Sequence, residues 1–135
     1  MDLIKSILVS ASAMKAQGQR MEVIAENIAN ADSLGQVPGS DPYQRKVMTF
    51  RNILDRDLGV AMVRIGKIDM DRSEFPKRFE PGNPAANGDG YVLTPNVNSL
   101  VEMMDMREAQ RSYEANLTMI ETAKSMLVRT IDVIR

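Results

Sequence analysis

The two ends of the chain carry the same spacing of apolar side chains, and the middle does not. Near the start the stripe comprises Ile4, Ile7, Ala11, Met14, Gly18, Met21, Ala25 and Ile28. Near the end it comprises Met103, Met106, Tyr113, Leu117, Ile120, Leu127, Ile131 and Ile134, interrupted by the polar Gln110 and Lys124. Steps of three and four keep one stripe of a helix turned toward a partner helix. The sequence therefore predicts two long terminal helices, paired as an antiparallel coiled coil, whose stripes form the assembly interface.

Helix-breaking residues divide the chain into three segments. We expect an N-terminal coiled-coil helix over residues 1–31, a central loop and β-rich segment over 32–98, and a C-terminal coiled-coil helix over 99–135. All six Pro and seven of the eight Gly lie in the central segment, which is typical of turns and loops. Strands are predicted there at Tyr43–Phe50, Val60–Asp69 and Tyr91–Leu93, with a helical turn at Ile53–Leu58. The predicted fold class is mainly α with a small β or loop insert.

The C-terminal helix is predicted to begin with a capping box formed by Ser99 and Glu102. Terminal helices of this size would be roughly 45 and 50 Å long, whereas a compact globule of this chain length has a radius of gyration near ~14 Å. We therefore expect an elongated molecule. Apolar residues outside the stripe, among them Met104, Met119 and Met126, predict that this helix also packs against other subunits.

The composition removes most enzyme chemistry. The 135 residues include no Cys and no His, which are the side chains most suited to metal binding and to proton transfer near neutral pH. A net charge of −1 provides no basic face for nucleic acid, and three Phe, three Tyr and no Trp provide little for an aromatic-lined pocket. We therefore expect no catalytic residues, no cofactor, no metal, no nucleic-acid partner and no small-molecule substrate.

A short apolar run near the start of the chain bears on targeting. The run Ile7–Ala13 is similar to part of a signal-peptide core. Only Lys5 precedes it, Asp2 opposes that charge, and the amphipathic pattern continues through the supposed cleavage point. No run approaches the ~20 apolar residues of a membrane span. We expect no cleaved signal peptide.

Several short motifs, which occur in order along nearly the whole chain, are typical of one family. They are Glu26–Ala31 (ENIANA), Asp41–Lys46 (DPYQRK), Pro81–Pro84, Gly90–Val92, Pro95–Asn98 and Glu108–Asn116. In these motifs the chain resembles the flagellar axial proteins, and among them the proximal-rod proteins of the FlgC type. Its short central segment is also similar to this type and unlike the longer hook and distal-rod proteins. One departure is Asn83, where the family often has His.

The resemblance implies a structural, non-enzymatic subunit of the proximal rod, the drive shaft of the bacterial flagellar basal body. The terminal helices would assemble into a helical tube that transmits torque, with copies of the chain and other rod subunits as partners. The membrane ring, the export apparatus and the bushing ring are further expected partners. Location in the periplasm, after type III export without a cleaved signal peptide, is implied as well. Asn27 and Asn30 are expected to end the first helix and to fix the loop that leaves it.

The residues alone leave alternatives open. A cytoplasmic helical adaptor or export chaperone would be compact and stably folded in isolation, whereas unpaired amphipathic termini should be poorly ordered before assembly. An amphipathic membrane-surface protein would need bulky anchors flanked by Lys and Arg, and the small residues Ala11, Gly18 and Ala25 of the first stripe argue against it. Either stripe alone also fits a core helix of an ordinary bundle. An enzyme has the least support, because the chemistry of an active site is missing.

Overall fold

The structure is a computed structural model that describes residues 3–134. Its elements follow the chain in the order α1 (Leu3–Ala29), β1 (Lys46–Asp55), β2 (Val60–Met70), β3 (Lys77–Phe79), β4 (Tyr91–Leu93) and α2 (Ser99–Ile134). Two terminal helices with a small antiparallel sheet insert between them confirm the predicted class. The coiled-coil geometry and the elongated shape stay predictions, and the expected helix limits at residues 1, 2 and 135 lie outside the described residues.

Helix α1 ends at an asparagine that satisfies a carbonyl of the last turn. Both the backbone N and the side-chain Nδ2 of Asn30 donate to the carbonyl oxygen of Glu26, at 3.1 and 2.9 Å. The Asn30 Oδ1 in turn accepts a 3.1 Å hydrogen bond from the Ser33 hydroxyl. Because a helix end leaves carbonyl groups without backbone donors, this amide both closes α1 and holds the first residues of the loop.

Helix α2 begins one residue earlier than the predicted capping box requires. The Oδ1 of Asn98 accepts hydrogen bonds from the backbone N of Leu100 and Val101, at 3.1 and 3.3 Å. Asn98 is therefore the N-cap residue, and the predicted box of Ser99 and Glu102 is wrong. The shift moves Glu102 from the third to the fourth helical position, and its side chain turns into the interior instead of reaching back to the cap.

Strands β1 and β2 form a two-stranded hairpin. Its turn is closed by the Gly59 N, which donates to the Asp55 carbonyl at 2.8 Å, and Gly59 has a φ of 64° that favours glycine. The Oδ1 of Asp55 accepts from the backbone N of Asp57 and Leu58. The predicted helical turn at Ile53–Leu58 is wrong, because the pairing with β2 continues through Asp55.

Strands β3 and β4 form a second antiparallel pair, in which Lys77 faces Leu93 and Phe79 faces Tyr91. Strand β4 spans the predicted residues, whereas β3 was not predicted. Phe79 and Tyr91 make an edge-to-face contact with ring centroids 5.3 Å apart. Gly90 has a φ of 81°, and a Cβ there would lie 3.0 Å from the Phe79 ring. Glycine is therefore required where β4 begins.

The chain divides into two compact units, and each draws on all three segments expected from the sequence. The helix–hairpin unit comprises Met1–Met21, Met48–Lys67 and Arg107–Arg135, and the loop unit comprises Glu22–Val47 and Ile68–Met106. Buried residues of the helix–hairpin unit are small: Ser10, Ala16, Ala109 and Ala123. The loop unit buries Val23, Ile24 and Val92 together with the polar Asn27 and Glu102.

The two helices contact each other in both units. In the helix–hairpin unit an ion pair joins Arg20 Nη2 to Glu108 Oε2 at 3.7 Å, and the Val63 N of β2 donates to the Ser12 hydroxyl of α1 at 3.4 Å. In the loop unit a hydrogen bond of 3.1 Å joins Asn27 Nδ2 to Glu102 Oε2. Side chains of α1 and α2 therefore meet within each unit.

Candidate functional site

A buried polar cluster lies where the end of α1, the start of β1 and the start of α2 meet in the loop unit. Its centre is Asn27, which is only 1% exposed. The Oδ1 of Asn27 accepts from the backbone N of Lys46 and from the Tyr43 hydroxyl, both at 2.9 Å. Its Nδ2 donates to the Lys46 carbonyl at 2.9 Å and to Glu102 Oε2 at 3.1 Å. The amide thus fills both donor and both acceptor positions that a primary amide offers.

Glu102 is the buried carboxylate of this polar cluster, and it is also 1% exposed. Its Oε1 accepts a 2.6 Å hydrogen bond from Arg45 Nε, while its Oε2 accepts from Asn27. A buried carboxylate is tolerated when it is paired and hydrogen-bonded in this way. Burial by itself would lower the pKa of the Arg45 guanidinium, but the hydrogen bond and charge of Glu102, with Asp71, raise that pKa overall.

Arg45 also pairs with two other carboxylates of the loop unit. Its Nη1 lies 3.5 Å from Asp71 Oδ2, and its Nη2 lies 4.0 Å from Asp105 Oδ2. The pKa of Asp71 is lowered, first by hydrogen bonds from the backbone and hydroxyl of Ser73 and then by the charge of Arg45. The cation therefore neutralises charge from α2 and from the segment that follows β2.

Asn96 links the chain segments that contain Arg45 and Asp71 beside the polar cluster. Its Oδ1 accepts a 2.8 Å hydrogen bond from the Arg45 backbone N. Its Nδ2 donates to the Asp71 carbonyl at 3.0 Å and to the Ser73 hydroxyl at 3.0 Å. Gln44 Nε2 donates to the same Asp71 carbonyl at 2.7 Å. The Arg45 N and the Asp71 carbonyl, which lie just outside β1 and β2, thereby obtain side-chain hydrogen-bond partners.

The edge of the polar cluster carries a second ion pair. Lys46 Nζ bonds to Glu26 Oε1, and this hydrogen bond raises the pKa of Lys46. Burial raises the pKa of the Tyr43 hydroxyl, and the nearby Glu26 carboxylate raises it further. Tyr43 is therefore a neutral hydrogen-bond donor to Asn27 at any physiological pH. This arrangement holds segments together and presents no nucleophile–base pair.

The sequence motifs ENIANA, DPYQRK and Pro95–Asn98 supply most of this polar cluster. Asn27 was predicted to help end the first helix. The residue lies within the last turn of α1, and its side chain binds the start of β1 and the start of α2. The roles of Arg45 and Glu102 were missed. The signal was present in the sequence, since Glu102 lies one heptad before Ala109 and two heptads before Asn116. A charged residue at such an inward position needs a buried partner.

The inward stripe of α2 is offset from the predicted stripe. Buried or half-buried positions that alternate in steps of four and three are Glu102, Met106, Ala109, Tyr113, Asn116, Ile120, Ala123 and Leu127. Met106, Tyr113, Ile120 and Leu127 of the predicted stripe are therefore turned inward. Met103, Leu117, Ile131 and Ile134 are exposed, by 53, 41, 58 and 80%. The within-chain seam thus uses Glu102, Ala109, Asn116 and Ala123, each one residue before a position of the predicted spacing.

Helix α1 shows a single outward stripe. Its exposed residues are Ile4, Leu8, Ala11, Lys15, Gln19, Glu22, Ala25 and Ala29. Of the predicted stripe, Ile4, Ala11 and Ala25 thus face outward, while Ile7, Met14, Met21 and Ile28 are half-buried. Gly18 is also half-buried, but among the described residues no heavy atom lies within 4 Å of a Cβ built there.

Large apolar side chains remain exposed along α2 and on the strands. On α2 they include Leu100, Val101, Met103, Met104, Leu117, Met119, Met126, Val128, Ile131, Val133 and Ile134. On the strands they include Phe50, Ile53, Leu54, Ile68, Met70, Phe79 and Tyr91. Large exposed apolar residues in this number favour a surface that binds other proteins. No helix within residues 3–134 is long and apolar enough to cross a membrane, and those residues contain no acidic cluster arranged to hold a metal ion.

Known proteins with the same sequence pattern are flagellar. The family model described as "Flagella basal body rod protein" matches residues 7–35, and that of the "Flagellar basal body rod FlgEFG protein C-terminal" matches residues 89–133. The flagellar basal-body rod protein FlgC of Agrobacterium fabrum is 46% identical over 94% of this chain and 91% of its own length. FlgC of Bacillus subtilis is 38% identical over 98% of this chain and 99% of its own length. FlgC of Escherichia coli is 38% identical over 97% of both chains.

Proposed function

The chain belongs to the FlgC family of flagellar basal-body rod proteins, and from this membership we propose how it is held in the rod. It is a structural subunit of the bacterial flagellar basal-body rod and not an enzyme. As a rod protein it assembles with other rod subunits and with copies of itself. The resemblance inferred from the sequence motifs is thereby confirmed.

The proposed assembly interface is the apolar surface that the single chain leaves uncovered. The observation that carries this proposal is the exposure of α2, where large apolar residues occur on several faces from Leu100 to Ile134. One apolar stripe is enough for one partner helix, and the inward stripe of α2 is already buried or half-buried within the single chain. The remaining faces therefore require neighbouring subunits.

Each predicted stripe is thus assigned two tasks. Half-buried residues such as Met106, Tyr113 and Ile120 hold the chain to itself. Exposed residues such as Ile4, Leu117 and Ile131 hold it to its neighbours. Contacts between different patches of identical subunits generate a helical array when they do not close into a ring. We therefore extend the proposal to an elongated, coiled-coil-like subunit in the wall of a tube that transmits torque.

Finer features of location and partners belong to the same proposal. The subunit would lie in the proximal part of the rod, within the periplasm, after type III export without a cleaved signal peptide. Its neighbours would include the membrane ring, the export apparatus and the bushing ring. The alternative of a cytoplasmic adaptor or export chaperone is not favoured. Relatives that match nearly the full length of this chain are named as rod proteins.

A charge placed on the exposed apolar face tests the proposed interface. Leu117→Asp should leave the single chain folded, because Leu117 is 41% exposed, but should prevent its incorporation into the rod. Burial of an unpaired charge at ~3 kcal/mol weakens an interface by about a hundredfold. The readouts are motility of the complemented strain and the amount of the chain in purified basal bodies.

Thr118→Asp is the matched control, since Thr118 is exposed on the polar side of α2 beside Arg111 and Glu114. It should retain assembly and motility. Normal incorporation of the Leu117→Asp chain, at a cellular level equal to the control, would contradict the proposed interface.

A further inference from the structure

The apolar seam between the helices repeats along α2. Met106, Tyr113, Ile120 and Leu127 are half-buried and follow one another at intervals of seven residues, and the buried Ala109 and Ala123 lie fourteen residues apart. A slide of α2 by seven residues, about 10.5 Å, would replace each of the four large residues by another apolar one, whereas the small Ala109 would be replaced by the polar Asn116. The packing of the large apolar residues alone therefore distinguishes poorly between alignments of the two helices.

The Asn27–Glu102 pair occurs once in this seam. After a slide of seven residues, Asn27 would face Ala109, which offers no hydrogen-bonding side chain, and Glu102 would lose its amide donor. Arg45 Nε would also lose its 2.6 Å carboxylate partner. A buried polar group or charge without a partner is costly, so every slipped alignment is penalised at this place.

We propose that the Asn27–Arg45–Glu102 triad selects the alignment of α1 with α2. The triad acts as a specificity device and not as the main source of stability. A single buried polar residue can set the register of paired helices at a cost in stability. Replacement of a whole buried ion pair by apolar residues is often neutral or stabilising, whereas removal of one partner is harmful.

Arg45 extends this selection to the sheet insert. Lys46, the first residue of β1, binds Asn27 through both its backbone N and its carbonyl oxygen, each at 2.9 Å. The Arg45 carbonyl accepts from the Asp71 N at 2.8 Å, at the residue that follows β2. The same contacts therefore fix the alignment of the helices and the position of the first residue of β1.

Cysteine pairs in the purified full chain can report the alignment, because the chain contains no Cys of its own. The aligned pair is Arg20→Cys with Glu108→Cys, whose native side chains lie 3.7 Å apart. The slipped pair is Arg20→Cys with Ala115→Cys, seven residues further along α2. With the triad intact, mild oxidation should form only the aligned disulfide.

The informative variant removes all three polar groups in Asn27→Leu, Arg45→Met and Glu102→Met. We expect this chain to stay helical and to form the slipped disulfide in an amount comparable with the aligned one. The matched control is Asn116→Leu, another polar position of the seam, whose Nδ2 donates to the Ser112 carbonyl within α2. That control should form only the aligned disulfide.

Three results would overturn the inference. The triple variant could form the aligned disulfide alone, which would mean that apolar packing suffices to choose the alignment. It could lose its helical circular dichroism and form neither disulfide, which would make the triad a source of stability. The chain with an intact triad could also form the slipped disulfide. None of these results depends on assembly into a rod, so they are separable from a failure of the proposed interface.

Discussion

At the scale of the residue, the polar cluster depends on side chains in which every hydrogen-bond donor and acceptor has a partner. Asn27 is the clearest case, because its amide makes four hydrogen bonds to three other residues, Tyr43, Lys46 and Glu102. An aspartate at this position would lack the two donors, and a leucine would leave the Lys46 backbone groups without partners. The position requires an amide because both donors and acceptors must be matched, and a hydrophobic pattern does not reveal such a requirement.

Asp71 provides a pH-dependent test of the polar cluster. Its folded-state pKa is lowered below the ordinary value of 3.8 by Ser73 and then by Arg45. A carboxyl group with a lowered folded pKa stabilises the native state above its unfolded pKa, and the contribution is lost as the pH falls through the folded pKa. Asp71→Asn should therefore lower the urea midpoint at neutral pH, and the deficit should shrink once the pH falls below 3.8.

The control for Asp71→Asn is Asp57→Asn, an exposed carboxylate in the β1–β2 turn. It corrects for the change in net charge. A deficit of equal size at every pH, after that correction, would show that the charge of Asp71 does not contribute to the cluster.

At the scale of the element, the end of α1 and the start of α2 are each set by a local asparagine, and the sheet insert by tight turns. Asn98 caps α2 and Asn30 closes α1. The Asn98 cap also affects the interior of the chain, because it decides which helical position Glu102 occupies. A helix that began at Ser99 as its cap would use Glu102 for its own first turn.

Substitution of the cap distinguishes the two possible starts of α2. Asn98→Ala should reduce the free energy of unfolding by ~1 kcal/mol, because two first-turn N–H groups lose their acceptor. Ser99→Ala should have almost no effect, since Ser99 follows the cap. Chemical denaturation of the two variants measures both values. The reverse order of effects would favour the capping box of Ser99 and Glu102.

Long elements were predictable from the sequence, whereas their contacts were not. The 3–4 spacing identified both helices, and the Pro and Gly residues identified the insert. The stripe of α2 was offset because Met103 and Leu117 are larger than their neighbours, although the polar Gln110 and Lys124 at the same spacing argued against it. Strand β3 was missed because two of its three residues are charged, whereas the equally short β4 consists of three residues that favour strands. The polar cluster depends on contacts between distant segments, which no local pattern contains.

At the scale of the whole molecule, the single chain leaves much of its apolar surface uncovered. Val133 and Ile134 are 86 and 80% exposed, and Leu100 is 69% exposed. A subunit of a rod is expected to show such surface before assembly, since its neighbours provide the remaining contacts. Gly18 shows the same property on α1, because its open side meets no atom of the described chain.

Gly18→Ala separates the stability of the chain from its ability to assemble. Alanine should stabilise the isolated chain by ~1 kcal/mol, because glycine is unfavourable inside a helix and the added methyl group has free space. If a neighbouring subunit approaches at Gly18, the same variant should reduce assembly. The measurements are urea denaturation of the purified chain and the amount of the chain in basal bodies.

Ala13→Gly is a matched control, because it introduces the opposite change at a half-buried position of the same helix. It should destabilise the chain. Full incorporation of the Gly18→Ala subunit, together with a higher urea midpoint, would remove Gly18 from the interface.

The hydrogen bond between Asn27 and Glu102 spans 75 residues of chain. Contacts between such remote positions are slow to form, because a long loop must close before they contribute. A polypeptide that emerges from a narrow passage one end first would expose α1 long before α2 arrives. This contact would then form only after residue 102 of the 135 had been delivered, so the loop unit could be completed only late in transit.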